Sequence, residues 1–255
     1  MKTGILCGTY RGDLAFWDYC HRALRKFAHG FAGIVLVVPR EDRHLFERYA
    51  APDLQVVYRD VPPGKGMLEH MAMVCQADLI VPPEWEIVTH LDCDCLFTEP
   101  VTPEDYMRDG CPLNCRERYA DFKDSFPTRY GWRQTVINAL GIEPEWEMMI
   151  RFPMLHWRWV YPLVRAAVER HTGRPFFDYV LSGSNDFPWT FLDFDLLGAY
   201  ILANCPYAYR WDDVHLPPLQ PCGWYAQGPG EKLRFFWTHG GLTPVIRAEM
   251  ERILG

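Results

Sequence analysis

The apolar positions of the first hundred residues alternate between two rhythms. Lys2 to Cys7 reads as a short buried strand, and Gly8 to Gly12 as a loop. Asp13 stands where it can cap the helix that follows, in which Leu14, Trp17, Leu24 and Ala28 fall near one face. Gly33 to Val38 is a wholly apolar, β-branched run that suits a central parallel strand, and Pro39 stops it. Glu41 to Tyr49 predicts a short helix. Leu54 to Val61 predicts a third strand, ended by Pro62 and Pro63. Met67, Met71, Val74 and Cys75 recur at helical spacing, and a methionine stripe of this kind is more often core than a binding box. Asp78 to Val81 and Glu86 to Leu91 then read as extended.

This order predicts an α/β fold, Rossmann-like, with a mostly parallel central sheet and helices on both faces. Ligands on such sheets bind beyond the carboxyl ends of the strands. The loop after the first strand and the loop after Leu91 are therefore the places to expect chemistry. The second half is less regular and rich in Trp, Pro and Tyr. Trp157 to His171 predicts a helix, with Gly173 and Pro175 just past its end, and Thr190 to Asn204 predicts another. The aromatic density from Phe176 to Trp237 suggests a binding cleft, although aromatic cores are commoner. His21, His44 and His171 fall within helical stretches and read as packing or surface residues. No linker splits the chain, so a single domain over 1–255 is expected.

Composition narrows the classes. A chain of 255 residues with 49% apolar content can bury a sizeable core, which excludes disorder. A net charge of −7, with basic residues spread along the chain, excludes a general basic face for nucleic acid. Met1 to Tyr10 lacks the pattern of a signal peptide, and the longest apolar run is too short to cross a bilayer. A soluble, cytoplasmic protein is expected. The nine cysteines are odd in number and contain no Cys-x-x-Cys pair. Cys93 with Cys95, or Cys111 with Cys115, are poor metal pairs; buried free thiols in a reducing compartment are the better reading.

The sharpest motif is Thr89-His90-Leu91-Asp92-Cys93-Asp94-Cys95, an apolar strand running into two carboxylates one residue apart. Strand alternation would send both to one side. Two hard oxygen donors there suit Mg²⁺ or Mn²⁺, and such a cation can bridge a diphosphate. Like charges at a buried strand end are costly without a compensating cation. Asp-x-Asp alone is a weak pattern, since turn and cap aspartates produce it often. Its place after a βαβα start strengthens it.

Here the chain resembles the GT-A glycosyltransferases, particularly small bacterial and phage proteins with a Leu-Asp-Ser-Asp type signature. Cys93 takes the position of the common Ser or Ala. The resemblance covers the first hundred residues well and the rest patchily. It implies a nucleotide-sugar-binding half over 1–100 and an acceptor half over 101–255 with a late metal-ligand segment. It implies that Asp94 contacts the metal and that Asp92 binds sugar or ribose, or reaches the metal too. Phe236-Trp237-Thr238-His239-Gly240-Gly241 is similar to the late histidine turn of the family, so His239 is the expected third ligand, with Gly240 letting the backbone approach the phosphates. An ordinary turn histidine is the plain alternative. Lys232 and Arg234 either neutralise the diphosphate or are surface charges.

The loop Thr9-Tyr10-Arg11-Gly12-Asp13 corresponds to the family's base and ribose site. Tyr10 is placed to stack on uracil and Arg11 to meet a phosphate or carbonyl; Asp13 bonds the base or, more simply, caps the helix. Gly-x-Gly-x-x-Gly is missing from this loop, which argues against a dinucleotide. Lys65, in Pro63-Gly64-Lys65-Gly66, is a donor contact or, more simply, a solvated loop lysine. Asp193 is the expected general base of an inverting reaction and Asp195 the runner-up, against a reading of both as first-turn acids. Asp186 and His215 are weaker candidates. Arg151 and His156 flank a segment expected to line the acceptor side.

The implied function is metal-dependent transfer from a nucleoside diphosphate sugar, UDP-linked by preference, to an acceptor hydroxyl. The acceptor is open among glycan, small molecule, protein and a hydroxymethylated base in phage DNA, which would have to be extruded from the duplex. The alternatives are a nucleotidyltransferase, for which Gly8 to Asp13 is a poor loop, and a catalytically silent nucleotide-sugar-binding protein.

Overall fold

The computed structural model describes residues 1–122, 130–149, 152–184, 191–214, 224–227, 231–236 and 241–255. Twelve strands fall among them: β1 (Thr3–Gly8), β2 (Ile34–Pro39), β3 (Leu54–Arg59), β4 (Ile87–His90), β5 (Cys95–Phe97), β6 (Met107–Arg108), β7 (Cys111–Arg118), β8 (Trp146–Glu147), β9 (Met154–Trp157), β10 (Arg210–Asp213), β11 (Trp224–Gln227) and β12 (Leu233–Phe236). The central sheet has the order β3-β2-β1-β4-β9, with β9 antiparallel to β4 and the other pairs parallel. The protein is thus mixed α/β with a mostly parallel central sheet, as the alternation predicts.

The apolar runs form its middle. Ile5, Leu6 and Cys7 of β1, Val35 to Val38 of β2, and Ile87 and Val88 of β4 are all buried, as strands covered on both faces must be. The helix Leu14–Phe27 carries the chain from β1 to β2 and turns Phe16, Trp17, Cys20, Ala23, Leu24 and Phe27 inward. The chain then steps outward to β3, returns through the helix Gly66–Val74, and enters β4 on the other side of β1. The order therefore reverses between β1 and β4. A crevice opens outside the carboxyl ends of two such strands, because their connections leave in opposite directions.

Three expectations are corrected here. Asp78 to Val81 is not extended, because Ala77–Ile80 is a helical turn. Trp157 closes β9 rather than opening a helix, and the helix runs Val160–Thr172, ending on Gly173 with φ 68°. His156 lies within β9, opposite Val88, and is fully buried rather than facing an acceptor; Arg151 is outside the described residues. The short helix over 41–49 is present in three pieces, and the helix Asp193–Asn204 begins with both acids in its first turn.

The second half builds two small sheets. One has the order β10-β7-β6 with β8 also on β7, and the other is β11-β12-β5. The second brings residues 233–236 back against the segment that follows the acidic pair. All eight described cysteines are free and all but Cys111 are buried. No described helix is long and apolar enough to cross a membrane.

Candidate active site at the ends of β1 and β4

β4 ends at His90, and the acidic pair stands in the turn that joins it to β5. The Leu91 amide still donates to the Leu6 carbonyl at 3.1 Å, and the Cys95 amide donates to the Asp92 carbonyl at 3.0 Å, closing the turn. Strand alternation is therefore not what brings the carboxylates together; a tight turn does. Asp92 is about a third exposed and Asp94 is buried. Cys93 and Cys95 are buried between them.

The electrostatics of this turn are one-sided. Burial pushes the Asp92 carboxyl up to about 7, and the nearby Asp13 adds to the shift. Burial, then Asp92, then Asp13 push the Asp94 carboxyl well above the ordinary carboxylate range. Neither carboxylate has an arginine or lysine partner among the described residues. The imidazole of His70, on the helix Gly66–Val74, stands with its Nε2 4.0 Å from Asp92 Oδ1, and burial lowers its pKa, so it does not offset the acids as a cation. Among the described residues no three His, Cys, Asp or Glu side chains converge to hold a metal by themselves. Asp92 and Asp94 supply two oxygen donors, and further ligands would have to come from elsewhere.

The loop after β1 forms the facing wall. Asp13 occupies the N-cap position but makes no side-chain capping bond; its charge bears on Asp92, Asp94 and Tyr10 instead. The expected cap is thus a third acid at the crevice. Thr9 is buried, with its amide on the Val37 carbonyl and its hydroxyl beside the Cys93 thiol. Tyr10 is 51% exposed, and its ring closes over Gly12, where a Cβ would meet it at 2.5 Å. Arg11 is spent on acids of its own: its backbone and side chain bind the buried Asp42 at 2.8 and 2.5 Å, and its guanidinium pairs with Glu41 at 2.8 Å. That correction leaves Tyr10, not Arg11, as the open side chain of the loop.

The lysines divide likewise. Lys65 is half-buried rather than solvated, and donates to the Gly183 carbonyl at 3.1 Å. Lys232 binds Asp105 at 2.8 Å, and its carbonyl accepts from Thr98 at the end of β5 away from Asp94. It sits four residues from the end of β12 that meets the acidic pair, roughly 13 Å along a strand, so it does not serve a diphosphate at Asp92. At that nearer end the Phe236 amide donates to the Asp94 carbonyl at 2.9 Å. β12 therefore delivers the chain to the acidic turn just before the late histidine segment. His239 and Gly240 themselves lie outside the described residues, as do Asp186 and His215.

Asp193 and Asp195 separate cleanly. Asp195 is fully buried, accepting from the Tyr119 hydroxyl and the Met148 amide, both at 2.6 Å. It ties the helix Asp193–Asn204 to Tyr119, just past β7, and to Met148, just past β8, a structural role that does not leave it free to serve as the base. Asp193 is 1% exposed; burial raises its pKa, and the Asp92 charge contributes, so it lies toward the crevice. The sequence reading overlooked His70 and Asp42. The signal for His70 was a polar pair, Glu69-His70, interrupting the apolar residues Leu68, Met71, Ala72 and Met73, which the helical stripe hid.

Fold and site together define an α/β protein with an acidic pair at the switch point of a mostly parallel sheet. No protein-family model matches the chain, and no curated protein matches it.

Proposed function

We propose that the protein is a metal-dependent glycosyltransferase of the GT-A kind. It moves a sugar from a nucleoside diphosphate sugar, UDP-linked by preference, to an acceptor hydroxyl. One observation carries this reading: Asp92 and Asp94 stand together at the switch point with no arginine or lysine partner among the described residues. Two uncompensated carboxylates there fit a hard divalent cation such as Mn²⁺ or Mg²⁺. Bound at the pair, the cation would supply Lewis-acid stabilisation of the leaving diphosphate.

The chain's own residues divide the remaining work. Asp94 and Asp92 hold the cation, and His239 is the assigned late ligand. Tyr10 offers an exposed ring for the base, on the wall opposite Asp92. Asp193 is the assigned base toward the acceptor, a role it can take only when the acceptor site opens to it, since it is 1% exposed and burial raises its pKa. The closed strand ends behind the turn limit water access and so hydrolysis.

The test is release of UDP from a panel of UDP-sugars with MnCl₂ or with EDTA. Release that requires Mn²⁺ and is lost in Asp94→Asn supports the reading. Release indifferent to EDTA contradicts it. Tight UDP binding with no turnover on any donor would favour a silent binding protein instead.

A further inference from the structure

His70 belongs to none of the motifs above, yet it is built into the crevice. Its helix buries Leu68, Met71, Ala72, Met73 and Val74, and the neighbouring Glu69 is ion-paired with Arg59 at 2.6 Å. The imidazole projects over the carboxyl end of β1. A Cβ added at Gly8 would meet His70 Cε1 at 2.5 Å and Nδ1 at 2.7 Å, so the ring occupies space that only a glycine leaves. The side chain is 37% exposed, and its Nε2 stands 4.0 Å from Asp92 Oδ1. That is too long for a hydrogen bond. The gap lies between a nitrogen donor and a cation-binding carboxylate. A 4.0 Å separation leaves no room for an atom between the two, but an anionic oxygen standing to one side of that line can accept from Nε2 if a cation at Asp92 offsets its repulsion.

We propose that His70 is a binding residue for the diphosphate of the donor, its Nε2–H donating to a phosphate oxygen beside Asp92. This rests on the metal–diphosphate reading of the site. A cation ligand would be the competing role. His70 does not form a three-ligand group with the two aspartates, and its ring is set back from them by the 4.0 Å gap. Gly8 then has a specific purpose: it lets the imidazole lie across the strand end.

Two binding measurements on the full chain decide the matter. Mn²⁺ alone is titrated by electron paramagnetic resonance, and UDP is titrated by calorimetry in saturating MnCl₂. The variants are His70→Ala, His70→Asn and Gly8→Ala, with thermal melts to confirm folding. Expected are unchanged Mn²⁺ binding in all three and UDP affinity weakened roughly 10-fold in His70→Ala, the scale of one hydrogen bond to a charged group. Gly8→Ala, which displaces the ring without removing it, weakens UDP in the same sense, and His70→Asn retains part of the affinity. Unchanged UDP affinity in both His70→Ala and Gly8→Ala overturns the proposal. So does weaker binding of Mn²⁺ alone in His70→Ala, which would make the residue a cation ligand. Absence of Mn²⁺ binding by the unaltered protein would sink the glycosyltransferase reading itself, and this proposal with it.

Discussion

The turn after β4 and the start of the helix Asp193–Asn204 each present an Asp-x-Asp sequence, yet they put it to opposite uses. At 92–94 the two carboxylates feel one another's charge and that of Asp13, and neither Asp92 nor Asp94 has a described arginine or lysine partner. At 193–195 the second acid accepts from a tyrosine hydroxyl and a backbone amide. The same local pattern is a charge deficit in one place and a structural clasp in the other. What separates them is the neighbourhood, because burial makes an unpaired carboxylate costly and a hydrogen-bonded one tolerable.

The largest effect that would test this contrast is on turnover. Asp94→Asn should lower Mn²⁺-dependent UDP release roughly 100- to 1,000-fold, the scale of losing one preorganised electrostatic group, while the melting temperature holds or rises. Asp195→Ala should do the reverse. Stripping the Tyr119 hydroxyl and the Met148 amide of their acceptor should cost about 2–4 kcal/mol in denaturant unfolding. If Asp195→Ala left stability intact and abolished release, the clasp would be wrong.

A smaller effect concerns pH. The folded, metal-free protein keeps Asp92 protonated up to about 7, whereas the unfolded chain releases that proton near the ordinary carboxylate value. The native state thus binds more protons in that window. The contribution of this group to stability is greatest in acid and falls as pH rises from about 4 to 7. Melting curves in EDTA should show that fall, Asp92→Asn should flatten it, and MnCl₂ should reverse it at neutral pH. The smallest effect belongs to Lys232→Ala. It removes a part-exposed pair with Asp105 and should cost under about 1 kcal/mol, with UDP affinity unchanged.

Much of this was legible in the chain, and the limits are physical. The runs in β1, β2 and β4 are apolar because these strands are buried in the middle of the sheet, so composition alone marks them as central. Asp92 and Asp94 stand out because charge follows such a run abruptly. β9 was hidden: Met154 to Trp157 is four residues long, and its partner strand is 64 or more residues away, so no local rhythm announces it. The surroundings of Asp13 and Arg11 were not legible, because side-chain choice between a cap, an acid cluster and Asp42 is decided by tertiary neighbours. His70 was masked by the apolar residues that position it.

The central claim is that a divalent cation sits between the ends of β1 and β4, gripped by Asp92 and Asp94. Anomalous diffraction from crystals grown with MnCl₂ and UDP tests it directly. The account predicts a manganese peak in contact with a carboxylate oxygen of Asp94 and of Asp92, with UDP density running toward Tyr10. A peak elsewhere, or UDP bound with the two carboxylates turned apart, would contradict it.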